Sequence, residues 1–360
     1  MLRRFPSADA TPRVVVITGG SSGIGRCTAG LFARRGWRVG LIARGEPGLA
    51  ASRRDVEAAG ARAATAQADV ADSTALAAAA DAIVAALGPI DAWINCAGNG
   101  VYGRLEDVSE REFQRVTDVT YHGTVNGTRL ALSHMRKRGR GAIVNVCSGT
   151  AFHGLPLMSS YAGAKAAVRA FGQAIRGELR LESSPVRIST VFPPAANTPY
   201  FSHALSHMGW PARPMRPIYQ PEVVAQGIWQ AMTSGRAEMA ISGTVVSFSL
   251  ATRLAPLLMG WCVGRMGIER QLTRDPGACA LQETTLFEPS QRVFTVHGPF
   301  GRQARAWSAQ LWLDRRLGAA ARLLKSGWPG ARSSAPSPAR HAPGDLDPKL
   351  GGWAARPDDP

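Results

Sequence analysis

A tyrosine and a lysine separated by four positions are the first candidates for chemistry in this sequence. Tyr161 and Lys165 lie in the segment SSYAGAKAA, and this spacing places both side chains on one face of a helix. A free phenol has a pKa of about 10, too high for a base at neutral pH, but a neighbouring ammonium favours the phenolate. We therefore expect Lys165 to lower the pKa of Tyr161, so that it exchanges a proton with a substrate. Ser148 follows the apolar run AIVNV and is placed to hold the substrate oxygen.

A glycine-rich segment near the start of the chain indicates a dinucleotide site. The segment TGGSSGIG, residues 18–25, follows the apolar run VVVIT and opens a helical stretch. Its glycines permit a tight turn and bring a pyrophosphate close to backbone N–H groups at the helix N-terminus. Taken alone, the glycine segment could be a plain turn, and Tyr161 and Lys165 could be a pair on a helix surface. The combination of the two motifs favours a redox site. The predicted cofactor contacts in this loop are Gly19, Ser21, Ser22, Gly23, Ile24 and Gly25.

The end of the second predicted strand bears on the choice of dinucleotide. A carboxylate at this position holds the ribose diol of NAD and repels a 2′-phosphate. This chain instead has Arg44, and a guanidinium pairs with phosphate through charge-assisted hydrogen bonds. The sequence therefore favours NADP(H) over NAD(H), with a solvated surface arginine as the alternative.

Alternating apolar runs and helical segments between residues 13 and 242 must position these groups. This pattern is typical of an α/β fold, a Rossmann-type doubly wound parallel sheet whose strands are buried on both faces. Helical segments are also predicted over 245–270 and 302–324. The predicted strands are 14–18, 39–43, 64–68, 91–95, 142–146, 186–192 and 238–241. We expect a flexible N-terminus over 1–12, a catalytic domain over 13–242, a mostly helical C-terminal extension over 243–325 and a disordered tail over 326–360.

Taken together, the motifs resemble those of the short-chain dehydrogenase/reductase family. The chain carries, in order and at this family's spacings, TGGSSGIG, DV, NCAG, a serine, YAGAK and PPAANT. The resemblance implies a sheet of about seven strands that holds both cofactor and substrate. It also implies that Tyr161 is the general acid/base, that Lys165 binds the nicotinamide ribose and that Ser148 polarises the carbonyl. Further cofactor contacts implied by the resemblance are Asp69, Val70, Asn95, Ala97, Gly98, Pro193 and Thr198, besides Tyr161 and Lys165 themselves.

Three positions depart from the family pattern. Thr120 stands where an asparagine usually helps to hold a water chain to the active-site lysine, Cys96 replaces an asparagine, and Pro194 replaces a glycine. Threonine is β-branched and its hydroxyl can bond back to the preceding helical turn. We therefore interpret Thr120 as a variant relay residue in a working catalytic site. The alternative is a non-catalytic dinucleotide-binding sensor or interaction protein with the same fold.

The segment over residues 195–222 corresponds to the region that covers the substrate in this family. Its apolar and aromatic side chains predict a lipophilic carbonyl or alcohol, with simple packing onto the domain as the alternative. His203 and His207 have a spacing seen in metal sites, but no third ligand is evident and the family needs no metal, so no metal is expected. The candidate lining residues are Tyr200, Phe201, Met208, Trp210, Met215, Ile218 and Tyr219.

Composition and charge narrow the class of protein further. The formal net charge is +16, but apart from RKRGR at 136–140 the basic residues are scattered, which disfavours nucleic-acid binding. Five widely spaced cysteines and the lack of a secretory signal predict a cytoplasmic protein with reduced thiols. The apolar stretch 245–264 has Arg253 and Pro256 at its middle. We expect it to form a packed or interfacial helix rather than a membrane span. Three roles stay open for the C-terminal extension: covering the active-site mouth, mediating association, or resting on a membrane surface. The family resemblance implies homo-oligomers.

Overall fold

Seven parallel strands form one central sheet in the computed structural model, which describes residues 12–316. The spatial order of the strands is β3-β2-β1-β4-β5-β6-β7. The order reverses between β1 and β4, and the carboxyl ends of the strands open a crevice where the order reverses. The strands are β1 (Val14–Thr18), β2 (Arg38–Ala43), β3 (Ala63–Gln67), β4 (Ile90–Asn95), β5 (Ala142–Val146), β6 (Arg187–Phe192) and β7 (Glu238–Ala240).

Helices cover both faces of this sheet. Val15 and Ile17 of β1 pack in one apolar cluster with helices α1, α2 and α8, whereas Val14 and Val16 pack in a second cluster with α3, α5 and α6. Because successive side chains of a strand point to opposite faces, a strand between two helical layers must be apolar throughout. The helices are α1 (Gly23–Ala33), α2 (Glu46–Ala58), α3 (Ser73–Leu87), α4 (Glu110–Thr117), α5 (Gly123–Arg138), α6 (Ser159–Leu181), α7 (Tyr200–His203), α8 (Pro221–Ser234), α9 (Gly243–Leu254), α10 (Pro256–Met266) and α11 (Pro276–Ala280).

All seven predicted strands are confirmed, each within one residue at either end. The single helix predicted over 245–270 is wrong at its middle, where α9 ends and α10 begins. Ala255 has φ −141° and ψ 63°, outside the helical region. A proline disfavours the helical conformation of the residue before it and is well suited to the first turn of a new helix, so Pro256 explains the break.

Beyond α10 the chain returns to the carboxyl edge of the sheet. Residues 283–298, here called the strap, contain no helix or strand and lie across that edge. The strand pair Ala304–Arg305 with Ile218–Tyr219 then fixes the chain beside the substrate segment. Because Ala304–Arg305 is extended, the helix predicted from residue 302 is wrong at its start; it is observed from 309 to 316.

The rest of that predicted helix, the predicted tail over 326–360 and nearly all of the N-terminal segment lie outside the described residues. Within residues 12–316, no helix combines the length and apolar character needed to cross a bilayer.

Candidate active site

The glycine loop between β1 and α1 leaves backbone exposed where side chains would clash. Gly19 and Gly23 have φ of +68° and +50°, a region that favours glycine. A β-carbon on Gly25 would lie 2.1 Å from the carbonyl oxygen of Gly19. These glycines therefore allow a turn in which the backbone at the start of α1 faces the crevice, as a pyrophosphate requires.

The structure brings Tyr161, Lys165 and Ser148 together at one end of this crevice. Tyr161 and Lys165 lie in the first turns of α6, and Ser148 follows β5. The Lys165 ammonium donates a hydrogen bond of 2.8 Å to the carbonyl oxygen of Val146 and lies 5.6 Å from the centroid of the Tyr161 ring. The loop between β5 and α6 therefore brings Ser148 to the same site as Tyr161 and Lys165.

Burial dominates the proton affinity of both titratable groups. It raises the pKa of the Tyr161 phenol well above its usual value, although a hydrogen bond with Ser148 acts in the opposite direction. Burial also lowers the pKa of the Lys165 ammonium. Burial thus outweighs the hydrogen bond with Ser148, because removing a phenolate from water costs free energy. The expected effect of Lys165 on the pKa of Tyr161 stays a prediction.

Thr120 lies in a π-helical turn, Asp118–His122, between α4 and α5. Its side chain is buried, and its Oγ1 atom is 3.4 Å from both the backbone nitrogen and the carbonyl oxygen of Asn99. A β-carbon on Gly98 would lie 3.6 Å from Lys165 Nζ and 3.7 Å from Thr120 Oγ1. Thr120 therefore lies in a helix irregularity, and Thr120 and Lys165 flank the same small space beside Gly98.

Asp69 and Asn95 have different surroundings. Burial acts to raise the pKa of Asp69, but a short ion pair with Arg115 and the N–H of Ala71 outweigh it and lower the pKa. Asn95 was predicted to contact the cofactor, yet its side chain lies in the core, where its amide nitrogen donates to Asn145 Oδ1 at 2.8 Å. Asn95 therefore stabilises the end of β4 through hydrogen bonds in the core and does not face the cavity.

Arg44 follows the end of β2, as predicted, but its hydrogen-bond partners belong to the strap. Its guanidinium donates hydrogen bonds of 2.5 Å each to the carbonyl oxygens of Thr285 and Phe287. The carbonyl oxygen of Leu286 between them accepts a hydrogen bond of 3.1 Å from Arg115. The buried Leu286 side chain anchors this part of the strap.

The strap also reaches the glycine loop and holds its own shape. The N–H of Gly23 donates to the Thr295 carbonyl oxygen at 3.0 Å, and Arg26 donates to that of Phe294 at 2.8 Å. The Glu283 carboxylate accepts hydrogen bonds from the Ser290 hydroxyl and from backbone N–H groups of residues 291–293. Partial burial acts to raise the pKa of Glu283, but these hydrogen bonds prevail and lower it to about 2.

One continuous cavity of about 470 Å³ joins the glycine loop to the catalytic group. Every predicted catalytic and cofactor residue lines it except Asn95 and Thr120, which lie behind its wall. Sequence analysis missed the wall that the strap contributes, because no local motif in residues 283–298 indicates where they fold. The strap residues on the lining are Thr285, Pro289, Ser290, Val293 and Phe294.

The predicted substrate segment divides between lining and packing. Tyr200, Phe201 and Met215 line the cavity, whereas Ile218 and Tyr219 are buried in apolar clusters. The segment therefore contributes both cavity lining and core packing, through different residues. Val245 and Phe248 of α9 complete the wall and were not predicted.

The two histidines of this segment have separate partners. His203 Nε2 lies 2.5 Å from the carbonyl oxygen of Val293, and burial lowers the pKa of His203, so a neutral ring donates to the strap. His207 contacts Glu112. In residues 12–316, no group of three or more His, Cys, Asp or Glu side chains is arranged to hold a metal ion.

Comparisons with known proteins agree with this geometry. A family model described as short chain dehydrogenase matches residues 13–208. An uncharacterized oxidoreductase of Bacillus subtilis, YxnA, is 34% identical over 248 residues, which cover 68% of this chain and 70% of that protein. A 3-ketodihydrosphingosine reductase of Bos taurus is 29% identical over 253 residues, which cover 68% of this chain and 75% of that protein.

A solved structure shows the same architecture. The crystal structure of a short chain dehydrogenase/reductase from Burkholderia phymatum in complex with NAD is similar with a TM-score of 0.63 at 25% identity. The match covers 69% of this chain and 95% of that one. The Rossmann-type sheet predicted from sequence is confirmed.

Proposed function

The chain belongs to the short-chain dehydrogenase family, and on that premise we propose that it transfers a hydride between NADP(H) and a lipophilic carbonyl or secondary alcohol. The observation that carries this proposal is that Ser148, Tyr161 and Lys165 line the same cavity as the glycine loop. Relatives of the chain are oxidoreductases and reductases by name, so redox chemistry with a nicotinamide dinucleotide is the shared activity of the group.

The residues present fit such a dinucleotide. The turn at Gly19, Gly23 and Gly25 forms a cradle that β-carbons would fill. Thr198 and Pro193 line the cavity at the catalytic end, and Val70 lines it at the adenine end. A bound nicotinamide supplies or accepts the hydride at the end of the cavity where Tyr161 lies.

The protein's own residues handle the proton. In the reductive direction the carbonyl carbon of the substrate accepts a hydride, and the Tyr161 hydroxyl donates its proton to the carbonyl oxygen. Its raised pKa keeps it protonated at neutral pH, which supports this role. The Ser148 hydroxyl holds the same oxygen, and Lys165 stabilises the phenolate that remains.

NADP(H) is favoured because the residue directly after β2 is Arg44 and not a carboxylate. The structure of the Burkholderia phymatum relative holds NAD, so family membership alone leaves the preference open. The Arg44 guanidinium has five N–H donors, and the strap carbonyls use two of its nitrogens. The other N–H groups of Arg44 can therefore donate hydrogen bonds to a 2′-phosphate.

The lining at the substrate end supports a lipophilic compound. Leu155, Met158, Phe201, Met215 and Phe248 contribute apolar surface there. Apolar walls with few polar groups are typical of pockets that bind hydrophobic ligands.

The decisive test is NADPH oxidation against a panel of lipophilic ketones and aldehydes. The proposal expects turnover that depends on Tyr161. The alternative, a non-catalytic dinucleotide sensor, expects tight NADPH binding in fluorescence titrations without oxidation of cofactor by any carbonyl of the panel.

The exposed face of α9 and α10 supports peripheral binding to an anionic membrane. Leu254, Leu257 and Trp261 are 76%, 89% and 62% exposed. No acidic residue occurs from 243 to 268, whereas Arg253 and Arg265 do. Exposed apolar side chains flanked by arginine suit the interface of a bilayer with anionic lipids. The opposite side of α9 lines the substrate cavity, so a lipophilic substrate would enter from that surface.

A further inference from the structure

Unpartnered polar atoms are concentrated on the walls of the cavity. Among the described residues, buried side-chain atoms without a hydrogen-bond partner include Asn99 Oδ1, Thr150 Oγ1, Tyr200 OH, Arg213 Nε and Gln271 Oε1, and each of these residues lines the cavity. Burying a polar group without a partner costs free energy. Their shared position indicates that a ligand supplies the missing partners.

Arg213 is the charged member of this group. It lines the cavity and its Nε atom is buried without a hydrogen bond, and among the described residues its guanidinium has no acidic partner. Lys165 and Arg44, the other cations deep in the cavity, already donate to carbonyl oxygens. A partly buried guanidinium next to apolar walls is stabilised by an anion.

Gln271 fixes the position of Arg213. Its side chain is 1% exposed, and its amide nitrogen donates to the carbonyl oxygens of Pro156 at 2.9 Å and Gly267 at 2.6 Å. The backbone carbonyl oxygen of Gln271 in turn accepts a hydrogen bond of 2.7 Å from the backbone N–H of Arg213. Because Pro156 lies just before α6, this cluster is at the substrate end of the cavity, and a group bound there belongs to the substrate.

The electrostatics of the lining agree with an anionic ligand. The carboxylate that lines the cavity, Asp69, lies at the adenine end and is paired with Arg115. At the substrate end the lining carries Arg213 and Arg216 and no acidic residue of the described chain. Other lining residues at this end, such as Met158, are apolar and supply no competing anion.

We infer that the substrate is an amphiphile whose apolar chain carries an anionic group, a carboxylate or phosphate, and that Arg213 binds this group. The inference rests on the proposed redox function for its identification of the substrate end. Arg213 is a specificity-determining residue here, because it selects which carbonyl compounds reach Tyr161 in a productive position.

The test uses pairs of compounds that differ in charge alone. A series of straight-chain oxo-carboxylates, with different numbers of methylene groups between ketone and carboxylate, is assayed with NADPH beside the corresponding methyl esters. At the chain length that spans the distance to Arg213, the acid should have a kcat/KM about 10-fold or more above that of its ester, the range of a charge-assisted hydrogen bond.

Variants locate the effect. Arg213→Met should remove the advantage of the acid over its ester, whereas Arg213→Lys should keep part of it. Arg274→Met is the matched control, since Arg274 is exposed and lies over the Trp210 ring outside the cavity lining. Equal use of acid and ester by the wild type, or a similar fall for both in Arg213→Met, overturns the inference.

A binding measurement separates this inference from the redox proposal. Calorimetric titration of the NADP⁺-loaded protein with saturated carboxylates of the same lengths, and with their methyl esters, requires no turnover. Tighter binding of the carboxylate, lost in Arg213→Met, supports the anion site even if no ketone is reduced. Equal affinity for acid and ester in the wild type contradicts it whatever the redox result.

Discussion

Lys165 Nζ lies 5.6 Å from the centroid of the Tyr161 ring, on the same buried face of α6. The lysine is held there by the Val146 carbonyl oxygen, so the ammonium is fixed next to the position that the phenol must occupy during proton transfer. Burial keeps both groups nearer their neutral forms. This arrangement supports the proposed transfer of a proton from Tyr161 to a substrate oxygen.

Replacing Tyr161 with phenylalanine should lower kcat for ketone reduction by about 10²- to 10⁴-fold, the usual contribution of a general acid. NADPH affinity should change little, because the ring remains. Tyr219→Phe is the control, since Tyr219 is buried but lies outside the cavity lining. Retention of activity in Tyr161→Phe would remove Tyr161 from this role.

The two directions of the reaction should respond differently to pH. Because the pKa of Tyr161 is raised, the phenol stays protonated through neutral pH and the reductive rate should be flat from about pH 6 to pH 8. Alcohol oxidation needs the phenolate, so its rate should increase with pH over the same range. Steady-state kcat profiles in both directions test this, and a reductive rate that falls steeply above pH 7 would contradict it.

Thr120→Val should reduce turnover by only about 3- to 10-fold, because a relay residue contributes less than the acid itself. The substitution removes the Oγ1 atom that contacts Asn99 and faces the space beside Gly98. Thr120→Ser keeps that hydroxyl and should retain activity and the shape of the pH profile, and Thr120→Asn should also alter rate or pH dependence modestly. A loss as large as that of Tyr161→Phe would instead indicate a collapsed site.

Arg44→Gln should lower the ratio of kcat/KM with NADPH to that with NADH by about 10-fold or more, as expected for a lost charge-assisted hydrogen bond to phosphate. The ratio is the proper readout, because the strap contacts of Arg44 affect both cofactors alike. Arg54→Gln, a change at an exposed arginine of α2, serves as the control. An unchanged ratio would show that Arg44 has only the strap as its partner.

Glu283→Gln should increase the rate of NADPH dissociation by about 10-fold, which corresponds to about 1.4 kcal/mol. Glu283 holds residues 290–293 of the strap, which line the dinucleotide end of the cavity. Stopped-flow displacement of NADPH measures the rate, with Glu288→Gln in the same strap as the control for lost charge. Identical dissociation rates in all three proteins would mean that the strap does not retain cofactor.

The contribution of Glu283 to stability should also depend on pH. Its pKa in the folded protein is about 2, below the ordinary 4.5, so the carboxylate stabilises the fold above pH 4.5 and loses this effect as pH falls toward 2. The difference in Tm between wild type and Glu283→Gln should therefore be largest near neutral pH and shrink below pH 4.5. A difference that grows on acidification would refute the assigned contacts.

Replacing Leu254, Leu257 and Trp261 together with glutamine should abolish flotation of the protein with vesicles that contain phosphatidylserine. The control replaces Leu105 and Leu181, which are 65% and 89% exposed on other elements. If the exposed face of α9 and α10 instead binds a second copy of the chain, the variant will halve the mass measured by light scattering and leave vesicle binding unchanged.

Much of the catalytic half was predictable from sequence because its signals are local. Apolar runs long enough for a buried strand gave seven strands to within a residue, and Tyr161 and Lys165 required only helical spacing to share a face. Gly19 and Gly23 have positive φ, and a β-carbon on Gly25 would meet the carbonyl oxygen of Gly19, so the turn itself requires these glycines. These signals depend on residues that are close in sequence, so they can be recognised without knowing the rest of the fold.

Only the tertiary structure decided what surrounds those residues. Nothing near Arg44 in sequence indicates that carbonyl oxygens of Thr285 and Phe287 would bind it, because that contact joins segments more than 200 residues apart. The pKa of Tyr161 is raised by burial, and burial is a property of the whole fold. Local signals in the sequence specify the sheet and the residues at its carboxyl edge, whereas long-range packing sets the walls, the charge balance and the strap that covers the site.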